Sequence, residues 1–206
     1  MEKMIIVGND IFDEFIRDDG YYIDKTELIY ELVAKTRNKV TLFTRPRRFG
    51  KTLTMSMMES FFDIRRDSKE LFEGRKIAEN HPEFCEEWMN QYPVLFLSLK
   101  DVEGLSFADA YGMLEGTVSR LCIKLSELAE KKEVNPADRE TFLRMMHKEA
   151  SLNEIKSSLD TIMRMMKAVY GKPVILLIDE YDVPLAKAEE TKNREFYQQM
   201  LDVIRG

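Results

Sequence analysis

Residues 40–62 limit the fold of this chain more than any other stretch. A short apolar run, Val-Thr-Leu-Phe at 40–43, leads into a basic loop, Thr-Arg-Pro-Arg-Arg-Phe-Gly-Lys-Thr at 44–52. A helical apolar periodicity then begins at Lys51. Backbone N–H groups and the dipole at a helix N-terminus attract phosphate. A strand, a glycine-containing loop and a helix in this order are typical of a phosphate-binding loop and favour an α/β fold.

The loop supplies candidate ligands for a nucleotide. Gly50 lets the backbone approach a phosphate, Lys51 can reach the β- and γ-phosphates, and the Thr52 hydroxyl can ligate Mg²⁺. In the pattern G-x-x-x-x-G-K-[ST], Arg45 stands at the first glycine, and Pro46 removes one amide donor. The amides closest to the second glycine remain. The predicted nucleotide-binding residues are Arg48, Phe49, Gly50, Lys51 and Thr52.

A second segment, far along the chain, completes the predicted chemistry. Five apolar residues at 174–178 end in Asp179 and Glu180, which places two carboxylates at the carboxyl end of a buried strand. Open parallel sheets bind ligands at that edge. Asp179 is predicted to hold Mg²⁺ with Thr52, and Glu180 to act as the catalytic residue that polarises the attacking water, with Lys51 also catalytic.

Other charged residues leave alternatives open. Asp182, two residues before Pro184, is either a third site carboxylate or a turn cap. Arg45, Arg47 and Arg48 attract anions or pair with nearby acids, or they contact phosphate or nucleic acid; the first interpretation is favoured. Three arginines are too few to indicate a nucleic-acid groove.

Composition sets the class of protein. The chain has 206 residues, 44% apolar and 33% charged, with a net charge of −6, which argues against bulk electrostatic binding of nucleic acid. Cys85 and Cys122 have no CxxC partner, so reduced core thiols are expected. Only His81 and His147 could supply imidazole. No signal peptide or apolar run of about 20 residues is seen, which predicts a cytoplasmic protein without a membrane contact.

Periodicity predicts an α/β domain with a parallel sheet and a helical insertion. Strands are expected at 40–43, 93–99 and 174–178, the first central in the sheet. The helices expected are 9–16, 24–36, from 51 onward, a charged helical excursion over 67–80, a short helix from 82, then 106–131, 138–150, 153–170 and 189–204. Asn9 or Asp10 would cap the first of these and Asp24 the second.

Four motifs resemble the predicted AAA-ATPase-like family of bacteria and archaea. They are Tyr-Tyr-Ile-Asp-Lys-Thr at 21–26, the loop at 44–52, Tyr-Pro-Val at 92–94 and Leu-Ile-Asp-Glu-Tyr-Asp at 177–182. The Arg-Pro-Arg-Arg-Phe-Gly-Lys-Thr form of the loop is unusually specific. The motifs span most of the chain, so the resemblance covers most of it.

The resemblance implies a P-loop NTPase with a three-layer α/β/α fold, in which an additional strand lies between the loop strand and the carboxylate strand. It implies that Arg45 is the normal residue of this Walker A-type loop. By the same resemblance Lys51 and Thr52 bind nucleotide and Mg²⁺, Asp179 in the Walker B-type strand is associated with Mg²⁺, and Glu180 is catalytic. Family members are commonly longer and often end in a restriction-endonuclease-like nuclease domain.

The chain departs from the family in length, because the strand expected after Glu180 and its sensor residue are missing. We therefore expect a fragment of a longer protein. The expected organisation is a single domain over 1–206, with a lead-in over 1–37 and a helical region over 105–170.

The leading hypothesis is a Mg-ATP-binding module of an ATPase that hydrolyses ATP at full length. The alternative is a non-catalytic interaction domain with a relic phosphate loop; a nucleotide kinase ranks last. The expected partners are a nucleotide and, through self-association, a second copy, or else another protein, with nucleic acid bound only through other domains. ATP and GTP are not distinguished.

Overall fold

The computed structural model describes residues 10–35, 40–43 and 49–205. The chain divides into two compact units, the N-terminal unit (Met1–Val94) and the C-terminal unit (Leu95–Gly206). Among its described residues, the N-terminal unit contains helices α1 (Phe12–Arg17), α2 (Glu27–Tyr30), α3 (Lys51–Phe62), α4 (Lys69–Phe72), α5 (Lys76–Asn80) and α6 (Pro82–Trp88), with a π-helical turn, Glu31–Lys35, directly after α2.

Helix α3 forms the centre of the N-terminal unit because one of its faces is apolar throughout. Met57, Met58, Phe61 and Phe62 on this face are all buried. Helix α1 packs against α3, and the Phe12 backbone N–H donates to Ser56 Oγ at 3.0 Å. The packing fixes the position of the N-terminal end of α3, where the predicted phosphate loop ends.

The C-terminal unit is built on a two-stranded sheet covered by helices. Strand β1 (Val94–Ser98) pairs with β2 (Ile175–Asp179), and the two are parallel. The intervening segment provides the helical crossover that parallel strands require. The helices are α7 (Phe107–Lys124), α8 (Pro136–His147), α9 (Leu152–Lys156), α10 (Ser158–Tyr170), α11 (Val183–Glu190) and α12 (Arg194–Arg205), with a 3₁₀ turn, Ser126–Glu130, after α7.

The helices of the C-terminal unit begin at well-defined caps and bury aliphatic and methionine side chains. Ser106 accepts a hydrogen bond from the Asp109 N–H, Asn135 accepts from the Ala137 N–H, and Ser151 starts α9 with a capping box. The buried apolar side chains of α10 and α12 lie at helical spacing, as expected of amphipathic helices. They are Ile162, Met165 and Met166 in α10 and Phe196, Met200 and Val203 in α12.

The described residues are mostly helical with a small parallel sheet, which is compatible with the predicted α/β class. The strand predictions at 93–99 and 174–178 are confirmed, as are the helices from 51 onward, over 67–80 and from 82. The helix predicted over 106–131 ends at Lys124 and continues as the 3₁₀ turn, and the one predicted over 153–170 is divided into α9 and α10. The helix predicted over 189–204 forms as α12, while α11 before it was not predicted.

The strand predicted at 40–43 is wrong. These residues are not in a strand, and the side chains of Val40 and Leu42 are 84% and 61% exposed. A strand requires a neighbour that pairs with its N–H and C=O groups, whatever its intrinsic preference. In the described part of the chain only β1 and β2 form such a sheet.

The predicted caps Asp10 and Asp24 are also wrong. Helix α1 begins after Ile11 with no side-chain cap, so Asp10 does not serve as one, and Asn9 lies outside the described residues. Helix α2 begins at Glu27, and the Asp24 carboxylate instead accepts hydrogen bonds from Thr26. Asp and Asn compete for local turns of this kind as readily as for helix caps.

Candidate nucleotide-binding site

The start of α3 has the backbone geometry of a phosphate-binding helix terminus. Gly50 is the residue before the helix and has a left-handed φ of 73°, which favours glycine. The Thr54 N–H donates to Gly50 O at 2.9 Å as the first hydrogen bond of the helix. The amides of Lys51, Thr52 and Leu53 precede this bond, so helix geometry gives them no acceptor within α3. Amides in this position are the donors that bind anions at helix N-termini.

Two of the predicted phosphate-loop residues, Phe49 and Lys51, line a cavity of about 230 Å³ in the N-terminal unit. Lys51, Phe49 and Thr54 line it, together with Phe43 and Lys25. Phe49 is 56% exposed, whereas Lys51 and Thr52 are partly buried. Glu27 lines it as well, so the cavity combines two lysines and a carboxylate with aromatic and apolar surface.

The predicted arginines of the loop cannot be placed. Arg48, a predicted nucleotide-binding residue, lies outside the described residues, and so do Arg45 and Arg47. The alternatives for these three side chains therefore stay open. Their role as phosphate contacts or as ion-pair partners remains a prediction.

The predicted carboxylates lie at the carboxyl end of β2 in the C-terminal unit. Asp179 is the last residue of the strand and only 3% exposed, and its Oδ1 accepts the Glu180 N–H at 3.1 Å. Its carbonyl accepts the Leu99 N–H at 3.0 Å, which ties the end of β2 to the end of β1. Glu180 has a left-handed φ of 54°, an unusual conformation for a residue other than glycine. A turn of this kind redirects the chain immediately after the strand.

Two further polar residues lie close to the strand ends, Asp182 before α11 and Ser98 at the end of β1. Asp182 precedes α11 and is exposed; its side chain makes no capping hydrogen bond, while its carbonyl accepts the Ala186 N–H at 2.9 Å. Ser98, the last residue of β1, carries a buried hydroxyl with no hydrogen-bond partner in the described part of the chain. Sequence reasoning missed Ser98, since a serine within an apolar strand carries no motif.

The four predicted catalytic and metal-binding residues fall in different units. Lys51 and Thr52 belong to the N-terminal unit, and Asp179 and Glu180 to the C-terminal unit. Within each unit the predicted pair is adjacent in sequence, at the end of a regular element. The assignment of all four to one site remains a prediction.

The cysteines and His81 lie in buried or aromatic surroundings. Burial raises the pKa of Cys122 to about 12 and also raises that of Cys85. His81 stacks on Tyr30 with ring centroids 3.6 Å apart. Among residues 10–35, 40–43 and 49–205, no group of three or more His, Cys, Asp or Glu side chains could hold a metal ion. Within these same ranges no helix combines the length and the apolarity that a bilayer crossing demands.

The loop motif thus lies directly before α3, and the two carboxylates lie at the carboxyl end of β2. The chain belongs to the AAA-ATPase-like family, since the model of that family, described as a predicted AAA-ATPase, matches residues 6–206. The resemblance inferred from the four motifs is thereby confirmed. A fused nuclease domain and the details of the Walker A-type loop stay predictions.

A curated relative comes from Azotobacter chroococcum mcd 1 and is described as "Uncharacterized protein in vnfD 5'region". It is 27% identical over 168 residues, which are 82% of this chain and 27% of the relative. The chain therefore spans about a quarter of the length of that relative. No solved structure matches the chain.

Proposed function

We propose that this chain is the Mg-ATP-binding module of an AAA-like P-loop ATPase, and that the full-length protein hydrolyses ATP. The observation that carries the proposal is the start of α3, where a left-handed Gly50 is followed by Lys51 and Thr52 as the first helical residues. Three amide donors, the helix dipole and a lysine then belong to one helix N-terminus, where they can bind phosphate together. Membership of the AAA-ATPase-like family supports a role in nucleotide and metal use.

The proposed roles follow from the chemistry of each side chain. Lys51 binds the β- and γ-phosphates, and the Thr52 hydroxyl is a ligand of Mg²⁺. Asp179 orients water bound to the metal, and Glu180 polarises the water that attacks the γ-phosphate. Arg48, Phe49 and Gly50 complete the nucleotide-binding set through their backbone amides.

The residues present fit a magnesium ion held in part by its nucleotide. Mg²⁺ prefers oxygen ligands and is usually bound by one or two protein groups together with phosphate oxygens and water. Thr52 and Asp179 both offer oxygen. When bound, the ion neutralises charge on the phosphate oxygens.

The three-layer P-loop fold and the single domain over 1–206, with its lead-in over 1–37 and its helical region over 105–170, also stay proposals.

Calorimetric titration with ATP, with and without Mg²⁺, tests nucleotide binding. We expect the parent chain to bind Mg-ATP and Lys51→Ala to lose detectable binding, because the ammonium on the phosphates is removed. Lys69→Ala, which changes an exposed lysine at the start of α4, is the matched control and should bind as the parent does. Equal affinity of the parent and Lys51→Ala would contradict the proposal. Absence of binding in the parent would favour the interaction domain with a relic loop.

The proposed catalytic role is tested in the longer protein. Glu180→Gln keeps the size of the side chain but removes the carboxylate that polarises water. We expect Mg-ATP binding to remain close to that of the parent, while turnover falls by about a hundredfold or more. Release of phosphate is the measurement. Unchanged turnover would remove Glu180 from the catalytic set without affecting the binding proposal.

A further inference from the structure

We propose that Lys25 is a second cation of the phosphate site, which contacts a phosphate group of the same nucleotide that Lys51 binds. The inference rests on the proposed function and assigns a task to the Tyr-Tyr-Ile-Asp-Lys-Thr segment at 21–26, which the roles above leave unused. Lys25 is far from the loop in sequence, and the fold brings its ammonium to the residues that open α3.

The residues on either side of Lys25 are anchored to the beginning of α5. Asp24 Oδ2 accepts the Lys76 N–H at 2.9 Å, and Asp24 Oδ1 accepts from the Thr26 N–H and hydroxyl at 2.9 and 2.7 Å. Thr26 is fully buried, and its Oγ1 accepts the Ile77 N–H at 3.2 Å. Because both neighbours are held in this way, the backbone of Lys25 has a defined position.

From this position the side chain of Lys25 reaches the turn that precedes α3. Its Nζ donates to the carbonyl of Phe49 at 3.3 Å. A Cβ placed on Gly50 would lie 3.7 Å from the same nitrogen, so the ammonium lies directly against the turn. In the part of the chain that the structure describes, the Phe49 carbonyl is the acceptor of Lys25 Nζ. A lysine ammonium has three donors, so two are left for hydrogen bonds to phosphate oxygens.

The cavity next to this turn has the charge of an anion site. Lys25 and Lys51 both line it, and two cationic residues beside one space favour the binding of an anion there. The carboxylate on the same wall is Glu27, whose Oε1 accepts from Asn80 Nδ2 at 2.6 Å and lies 3.9 Å from His81 Nε2. Glu27 is thus engaged with α5 and the residue that follows it, and the two lysines supply positive charge to the cavity.

The test compares Lys25→Met and Lys25→Arg with the parent, with Lys51→Ala and with Lys69→Met as control. Mg-ATP and tripolyphosphate are titrated calorimetrically at two salt concentrations, and thermal melting verifies that each variant is folded. We expect Lys25→Met to weaken both ligands about tenfold, as loss of a charged hydrogen bond does. Its affinity should also depend less on salt, because one screened charge pair is gone. Lys25→Arg should restore most of the affinity, and Lys69→Met should match the parent.

The possible failures are distinguishable. If Lys51→Ala loses binding while Lys25→Met binds both ligands like the parent, the role of Lys25 is overturned and the proposed function stands. If Lys25→Met is weak, Lys25→Arg is equally weak and the salt dependence is unchanged, Lys25 only supports the turn, and the phosphate contact is overturned. If the folded parent binds neither ligand, the proposed function fails and the role of Lys25 fails with it.

Discussion

The two units treat buried charge differently. In the N-terminal unit the carboxylates of Glu59 and Asp63 are 6% and 2% exposed. Both belong to a charged cluster, which we define as Asp13, Glu59, Asp63, Arg65 and Arg66. In the C-terminal unit the buried carboxylate is Asp179, at the end of β2, while the ion pairs of that unit are partly or largely exposed.

The buried carboxylates of the two units differ in their partners. Asp63 accepts two-pronged hydrogen bonds from Arg65, with Nη2 to Oδ2 at 2.8 Å, and Arg66 bridges Asp13 and Glu59 at 3.1 and 3.2 Å. Each acid in the charged cluster therefore has an arginine. Among the residues that the structure describes, Asp179 accepts a backbone N–H instead and has no lysine or arginine partner. A buried carboxylate without a cationic partner is costly, and such costs are characteristic of functional sites.

The apolar cores also differ, since the N-terminal unit is rich in aromatic pairs. Phe61 is fully buried, with ring centroids 5.0 Å from Phe62 and 5.2 Å from Phe72. We expect Phe61→Ala to lower the free energy of unfolding by about 4 kcal/mol, through the cavity and the lost ring contacts. Urea unfolding followed by Trp88 fluorescence measures it, because Trp88 is the single tryptophan and lies in the same unit.

The matched change in the other core is Phe142→Ala, at a fully buried ring of α8. No aromatic pair includes Phe142 in the described part of the chain, so its loss, followed by circular dichroism, should cost about 1 kcal/mol less. Equal costs would show that the aromatic pairs of the N-terminal unit add nothing beyond burial. Tyr21→Ala, at a ring that is 61% exposed, is the control and should leave stability nearly unchanged.

Asp63→Ala tests the charged cluster. It removes the two-pronged partner of Arg65, and we expect a loss of about 3 kcal/mol, since breaking a buried ion pair leaves an uncompensated charge. Trp88 fluorescence during urea unfolding is again the measurement. Asp67→Ala, at an exposed position nearby in sequence, should have almost no effect. A loss below 1 kcal/mol for Asp63→Ala would mean that the cluster is no more important than a surface pair.

A pair of glycine substitutions should have opposite signs in the two units. Gly50→Ala places a Cβ at a left-handed φ of 73°, and we expect a destabilisation of about 1 kcal/mol. Gly112 lies exposed within α7, where an added Cβ would meet nothing within 4 Å. Gly112→Ala should therefore stabilise by about 0.5–1 kcal/mol. Urea unfolding by fluorescence and by circular dichroism separates the two, and a stabilising Gly50→Ala would refute the conformational argument.

The smallest effect is expected at an ion pair of the C-terminal unit. Hydrogen bonds from the Arg144 guanidinium and from Ser151 lower the pKa of Glu154 to about 2, from its ordinary value of 4.5. A carboxyl whose folded pKa is depressed stabilises the protein above its unfolded pKa. The contribution of Glu154 is therefore complete above about pH 4.5 and disappears as the pH falls towards 2.

We expect Glu154→Gln to lower the melting temperature by about 1–2 °C at pH 7, because solvent screens the pair. The difference from the parent should shrink between pH 4.5 and pH 2. Melting followed by circular dichroism at several pH values provides the measurement. Glu149→Gln, at an exposed glutamate just before α9, is the control. A difference that stayed constant down to pH 2 would exclude titration of Glu154 as its cause.

Sequence patterns predict an element best where the apolar pattern of its own residues is enough to specify it. The apolar stripes of α3 and α12 and the apolar runs of β1 and β2 predicted those elements. The sequence does not predict helix α11, because Pro184 favours a turn, although proline also fits the first turn of a helix. The apolar run at 40–43 predicted a strand, but strand formation depends on a partner elsewhere in the chain.

The candidate site shows the same division. The left-handed Gly50 before Lys51 follows from the motif, because a glycine in such a loop is there for its backbone freedom. The left-handed Glu180 could not be predicted, since non-glycine residues rarely adopt that conformation. The contact between Lys25 and the Phe49 carbonyl joins residues far apart in sequence, and only tertiary structure reveals it.

The rate at which each cysteine is modified would report on the opening of the unit that contains it. Thiol reagents attack the thiolate, and Cys122 is fully buried with a pKa raised to about 12, so the folded core protects it at neutral pH. Cys122 can therefore be modified only when the C-terminal unit opens, and the rate of its modification measures how often that unit opens. Cys85 lies in α6 of the N-terminal unit and is only partly buried, so we expect it to react faster than Cys122. Mass spectrometry of the two modified peptides would give the modification rates of both cysteines in one chain without any substitution.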